Sequence, residues 1–253
     1  MNKVLIFCAL ILVWSCNGSG DAKTSKAKGG EATEEGALQE GETLTYHADG
    51  TVKTRVNYVA GKRNGTAYTY YPGGKKVMYS VDYENGVKHG DNKAFYDDGT
   101  PNRVVPYKNG RKHGVEVKYW PNGKVASEKP WRNDQLGVGL KEYKKDGKQL
   151  KKNIPEIVLT TEDQTALSGI YSINMKLKDG SKAVEFYIGE LTDGEFMNDN
   201  LKELTTVGGK ASHNLSVGKG GFLMEKVNVI AKVKTYYKNY HIVQKSINVA
   251  VNN

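Results

Sequence analysis

The chain of 253 residues has only two cysteines, Cys8 and Cys16, and both fall within the first sixteen positions. Everything after Cys16 therefore lacks thiols, which excludes a disulfide framework and a cysteine nucleophile from the body of the protein. Signatures of other catalytic chemistry are missing as well. The nearest approach to the Gly-x-Ser-x-Gly turn of a serine esterase is Asn214-Leu215-Ser216-Val217-Gly218, which has no leading glycine. Gly208-Gly209-Lys210 and Gly218-Lys219-Gly220-Gly221 have neither the spacing of a phosphate-binding loop nor a Ser or Thr after the lysine, and they read as hairpin loops. Asp97-Asp98 precedes a glycine, where aspartate serves a turn rather than acid–base work. His89 and His113 occupy equivalent places before Gly90 and Gly114. Strand spacing would hold them about 10 Å apart, too far to share an ion bound at about 2 Å per ligand. His47, His213 and His241 have no recognisable ligand partners in the sequence. The expectation is a non-enzyme with no catalytic residue, cofactor or metal.

Long apolar runs are scarce too. Val4 to Trp14 is a run of eleven, too short for a spanning helix of about 20 residues. With Lys3 before it and Ser15 ahead of Cys16, it reads as a secretory signal over residues 1–16. The Ser15-Cys16 junction resembles a bacterial lipoprotein signal, which implies cleavage after Ser15 and lipidation of Cys16. A plain cleaved export signal, with Cys16 incidental, is the alternative, and the bulk of Trp14 favours it. Residues 17–40 are mostly Gly, Ser, Ala, Lys and Glu with one leucine and no aromatic, which is the composition of a solvated tether.

What is abundant is a glycine-and-aromatic period over residues 41–152. Gly41, Gly65, Gly90, Gly114 and Gly137 lie 24, 25, 24 and 23 residues apart. Five and six places into the units come Tyr46-His47, Tyr70-Tyr71, Phe95-Tyr96, Tyr119-Trp120 and Glu142-Tyr143. A glycine turn follows, such as Asp49-Gly50 or Asn122-Gly123, and then a second aromatic at Tyr58, Tyr83, Tyr107 and Trp131. Three residues later stand Gly61, Gly86, Gly110 and, breaking the pattern, Asp134. Short segments rich in Tyr, Val and Thr around Asp-Gly or Asn-Gly predict one β-hairpin per unit. Residues five and six places in, taken as consecutive on a strand, are expected to carry aromatic ladders on opposite faces. A period of this length implies stacked units and a function built on their shared surface.

At Ile154-Pro155 the pattern stops. Alternating segments at 157–160, 169–178, 182–190, 227–236 and 240–251 predict a second all-β domain over residues 155–253, of immunoglobulin-like sandwich type. The charge is unevenly shared. Residues 41–154 hold 22 Lys and Arg against 12 Asp and Glu, whereas residues 155–253 hold 11 of each, so the net charge of +9 resides on the repeats. Such a surface suits an anionic envelope component or an acidic protein. The same lysines also keep a flat sheet soluble. Export argues against nucleic acid as a partner.

Units such as GDNKAFYDDGTPNRVVPYKNGRKHG, residues 90–114, resemble the MORN repeat, and more closely its bacterial variant found in YwqK-type proteins that carry a toxin–antitoxin antitoxin label. The resemblance implies an elongated array of hairpins serving as a protein scaffold or membrane-proximal binding module. The expected whole is an exported, membrane-anchored lipoprotein, in the periplasm or on the cell surface, whose array binds an unidentified protein or an anionic envelope component. An antitoxin or immunity-type protein is one alternative, and membrane-lipid or glycan binding is another. The contact surface is expected at Tyr71, Tyr96 and Trp120 with Lys76, Lys93, Arg111 and Lys118. Tyr70, Phe95 and Tyr119 are expected to pack hairpin upon hairpin.

Overall fold

The computed structural model describes residues 38–150 and 154–253. The expected signal, Cys16 and residues 17–37 of the tether lie outside the described residues. Strand accounts for 61% of the described residues and helix for 2%, so the fold is all-β as the hairpin period implies.

Twelve strands form one antiparallel sheet through the repeats. They are β1 (Gly41–Tyr46), β2 (Val52–Val59), β3 (Lys62–Arg63), β4 (Gly65–Tyr70), β5 (Val77–Glu84), β6 (Val87–Phe95), β7 (Pro101–Lys108), β8 (Arg111–Lys112), β9 (Gly114–Tyr119), β10 (Val125–Arg132), β11 (Gln135–Leu136) and β12 (Lys141–Glu142). The main path is β1-β2-β4-β5-β6-β7-β9-β10-β11, with β3, β8 and β12 pairing to β2, β7 and β10.

Two turn chemistries alternate along this sheet. At the Asp-Gly and Asn-Gly turns a four-residue loop closes on itself: His47 N–H donates to Thr51 O at 2.8 Å and Gly50 N–H to His47 O at 3.0 Å, and the later units repeat this. Asp49 and Asp98 accept both the backbone N–H and the hydroxyl of Thr51 and Thr100. The threonine hydroxyls, then the backbone N–H groups, hold both carboxyls below the usual aspartate range. Asp98 is therefore a turn residue. At the other end of each hairpin both central residues have positive φ, as in Asn85 (51°) with Gly86 (85°) and Asn109 (51°) with Gly110 (80°). That is the primed turn that matches strand twist. Asp134 holds φ 69° without being glycine, and its carboxylate accepts the Lys112 N–H at 2.9 Å. The departure in the sequence thus leaves the turn intact.

Register explains the period's leading glycine. Gly41, Gly65, Gly90 and Gly114 stand directly opposite Tyr58, Tyr83, Tyr107 and Trp131 across their hairpins. In the fifth unit Gly137 does something else: a Cβ there would lie 2.7 Å from the Phe196 ring, because residues 136–138 exchange backbone hydrogen bonds with 195–197.

After the repeats come β13 (Ile157–Gln164), the single-turn α1 (Thr165–Ser168), β14 (Ile170–Leu177), β15 (Val184–Ile188), β16 (Lys202–Leu204), β17 (Lys210–Ser216), β18 (Phe222–Lys234) and β19 (Tyr240–Asn252). They make a three-stranded sheet, β13-β14-β17, and a four-stranded sheet, β16-β15-β18-β19. Ile173, Met175 and Leu177 of one sheet meet Phe186, Val229, Ala231 and Val249 of the other in a shared buried core. This is an immunoglobulin-like order in which the fourth edge strand joins the second sheet. From Val227 to Val233, β18 is buried or half-buried on both sides. Its Val229 and Ala231 face that core, while Ile230 packs with Leu191 and Ile242 in a cluster that takes in Leu136 and Val138 from the last repeat.

Gly65 has φ +78° and open space where a Cβ would stand. Gly65→Ala is expected to cost about 1–2 kcal/mol through backbone strain alone, and Gly65→Asn less, because asparagine tolerates the left-handed region. Urea midpoints check this. An alanine variant as stable as the parent would remove the conformational reason for the leading glycines.

Candidate functional site

The first aromatic of each unit ends a strand, and a register shift falls there, for example between Thr69 and Tyr70 and between Ala94 and Phe95. The second aromatic therefore sits on the turn rather than on the opposite face, and its ring reaches sideways to the next hairpin. Tyr71 Oη donates to Phe95 O at 2.8 Å, Tyr96 Oη to Tyr119 O at 2.9 Å, and Trp120 Nε1 to Tyr143 O at 3.1 Å. His47 Nε2 lies 3.2 Å from Tyr70 O in the first unit. A two-faced aromatic ladder from positions five and six is thus replaced by a ladder along one side of the array.

The seven residues expected as one contact surface occupy separate places. Tyr71, Tyr96 and Trp120 are half-buried, and their polar atoms are engaged within the array. Lys76 is exposed beside Tyr71 in a shallow cleft at the turn end. Lys93 shares a cross-strand row with Ser80, Val104 and Val117, 3.7 Å from Asp91. Lys118 faces the other way, alongside Arg103. Arg111 is exposed in β8 at the far end of its hairpin. Only Tyr71 and Lys76 are brought together.

The face that carries Arg103 holds a repeated arrangement that the sequence alone does not mark. Its floor runs across the strands as Val56, Ala67, Val81, Asn92, Val105 and Glu116. Beside this floor stands the row of second aromatics, each from Tyr83 onward with a cation laid over its ring: Arg63 on Tyr83 at 5.4 Å, Lys88 on Tyr107 at 5.2 Å and Lys112 on Trp131 at 4.3 Å. Contacts of this kind contribute about 0.5–1 kcal/mol each at exposed sites. Among the described residues none of these three cations has a carboxylate within ion-pair distance. Two adjoining recesses of about 320 Å³ each share Val81 and lie open on this face. The buried Asn92 Oδ1 has no hydrogen-bond partner.

Glu116 closes the groove toward the C-terminal end. It is 1% exposed and accepts from Arg103 Nε at 2.8 Å, Lys129 Nζ at 2.9 Å and Trp131 Nε1 at 2.9 Å. Burial by itself raises its pKa, but the hydrogen bonds and charges of Arg103 and Lys129 together outweigh burial and hold it below the usual glutamate range. The only trace in the sequence is a charge flanked by Val115 and Val117 with Arg103 thirteen residues earlier. Beyond Glu116 the sandwich covers the array: Glu142 accepts from Thr235 Oγ1 and Asn239 Nδ2, each at 2.7 Å, and Tyr237 meets Trp120 edge to face at 5.5 Å. His89 Nδ1 stands 3.5 Å from Glu84, and no group of three or more potential metal ligands occurs among the described residues.

Comparison with known proteins agrees with the repeat geometry. Residues 39–60, 88–109 and 112–133 match the MORN repeat variant. Each matched segment begins at Gln39, Lys88 or Lys112, whose carbonyl accepts from the next turn's Gly61, Gly110 or Asp134. No curated protein matches the chain. Among solved structures, the extracellular domain of a protein described as a one component system from B. thetaiotaomicron aligns at 9% identity and a TM-score of 0.22, over 84% of this chain and 42% of that one. This chain spans less than half of that structure, and a TM-score so low establishes no shared fold.

Because the folded pKa of Glu116 lies below the ordinary 4.5, its contribution is complete above pH 4.5 and is lost as pH falls through the lower folded value. Glu116→Gln leaves two cations without their carboxylate and is expected to cost about 2 kcal/mol at pH 7, less than a fully buried pair because Arg103 stays partly solvated. The gap between parent and variant in urea unfolding should narrow toward pH 3. A gap that is the same at both pH values would contradict this ion cluster.

Proposed function

We propose that the repeat array is a non-enzymatic binding or scaffolding module at the cell envelope, carried by a lipid on Cys16 and a solvated tether. MORN repeats often mediate binding or membrane association. The observation that carries the reading is the row of Arg63, Lys88 and Lys112 over Tyr83, Tyr107 and Trp131 beside a largely apolar floor that lies open in two recesses. A single-layer sheet gains nothing for its own core from leaving such a face open, whereas a partner would bury it. Basic character steers an acidic partner toward the face, and the aromatic rings supply contact area. No helix of the described residues is long and apolar enough to cross a membrane, so the attachment in this reading is the Cys16 lipid.

The test is crosslinking affinity purification of the tagged full chain from intact cells, with membrane and soluble fractions kept apart. A second sample carries Thr69→Glu with Ala94→Glu, which fills the groove without touching the Tyr71, Tyr96 and Trp120 ladder. The expected result is membrane-fraction recovery that is lost on Cys16→Ser, and one stoichiometric partner that is lost on filling the groove. A partner retained by the filled variant would remove the groove from the account, and a soluble parent protein would remove the anchor. Recovery of a single dedicated toxin would turn the reading into that of an immunity protein.

A further inference from the structure

The groove's dimensions bear on what it takes, and the following rests on the binding reading just given. Arg63, Lys88 and Lys112 recur once per hairpin, so two strand spacings of about 4.8 Å separate them, a pitch of about 10 Å. A polyproline II segment has three residues per turn and rises about 3.1 Å per residue, so every third side chain returns to the same face about 9.3 Å further on. A β-extended chain alternates its faces and puts the third residue on the wrong side. We infer that the groove binds an acidic segment of a partner protein in the polyproline II conformation, with carboxylates at every third position set against Arg63, Lys88 and Lys112.

Three features of the site fit this occupant. Aromatic-lined grooves are a recurrent way to hold polyproline II segments, because rings make walls between which the stiff chain lies. Tyr79, 48% exposed, and Tyr107 stand on opposite sides of the recess floored by Val81, Ala94 and Val105. A polyproline II backbone makes no internal hydrogen bonds, and Asn92 lines this floor with a side-chain oxygen that no group of the array uses, so a turn of its amide toward the recess offers an acceptor for one of its N–H groups. The sheet's own ladder hydrogen bonds are already made between its strands, so the occupant is read by side chains rather than by strand addition.

Other anionic polymers fit less well. A glycan would stack on open aromatic faces, but Tyr83, Tyr107 and Trp131 each carry a cation over the ring. A lipid surface would call for cations on a protruding rim, whereas Arg63 and Lys112 line the two recesses and Lys88 lies over Tyr107, which lines one of them.

The experiment titrates the folded protein with the peptide (Glu-Pro-Pro)4 and with a control of the same composition, Glu-Glu-Pro-Pro-Pro-Pro twice over. Oligogalacturonate and phosphatidylglycerol vesicles serve as glycan and lipid probes. The spaced peptide is expected to bind at least tenfold more tightly than the control, to weaken steeply between 50 and 300 mM salt, and to lose at least tenfold on Lys88→Gln with Lys112→Gln. Tyr79→Ala, at an exposed ring, should weaken it as well, and thermal melts confirm that both variants fold. Equal binding of the two peptides, or affinity unchanged in both variants, would overturn the inference. Binding of oligogalacturonate or vesicles with both peptides silent would overturn it while leaving the binding module standing. Silence of every probe would overturn it too, and the crosslinking experiment would then decide the module separately.

Discussion

Everything in the array depends on one hydrogen bond made once per repeat, from the ring at the sixth place to the backbone carbonyl of the following unit. A single hairpin is marginal in water, and a single-layer sheet has no second layer to bury its apolar side chains. Tyr71, Tyr96 and Trp120 answer this by tying each turn to the end of the next strand pair, at 2.8, 2.9 and 3.1 Å. Each such bond contributes only about 1 kcal/mol net. Their regular recurrence nevertheless ties every turn to the next at the pitch of about 10 Å that the strand ladder sets, and every other repeated side chain appears at that pitch. The cation row inherits that pitch, and with it any selectivity that depends on spacing.

The two ends of the sheet are handled differently. At the C-terminal end the exposed edge that invites aggregation is covered: Gly137 admits Phe196, Leu136 and Val138 join the cluster around Ile230, and the buried Glu142 is satisfied by Thr235 and Asn239. The sandwich thus caps the array as well as following it. At the N-terminal end Gln39 O accepts from Gly61, in the place that Arg63, Lys88 and Lys112 hold in later units. A glutamine stands where the others have a cation, so the charged row begins one unit in.

The hairpin period was legible in the sequence because glycine at positive φ and Asn-Gly turns are local requirements that leave unambiguous residues. The sandwich was legible in part. β14, β15, β18 and β19 alternate strongly, whereas β17 does not announce itself, since Lys210-Ala211-Ser212-His213-Asn214-Leu215-Ser216 is largely polar and buries only Ala211 fully. The direction of Tyr71, Tyr96 and Trp120 was not legible, because the register shift that carries them off the strand follows from the turn's hydrogen bonding and not from residue type. The cation row was in the sequence all along at positions 63, 88 and 112, but its meaning comes from the cross-strand register that sets those residues over Tyr83, Tyr107 and Trp131. Glu116 is the same case: only the pairing of β7 with β9 and of β9 with β10 brings Arg103 and Lys129 to one carboxylate.

The account's central claim is that one face of the array, and not the other, meets a partner. Site-specific photocrosslinking in intact cells tests it most directly, with a photoreactive side chain at Ala94 on the groove face or at Val104 on the opposite one. The account predicts a discrete adduct from Ala94 and none from Val104. An adduct from Val104 alone, or none from either position while the sandwich domain crosslinks, would contradict it.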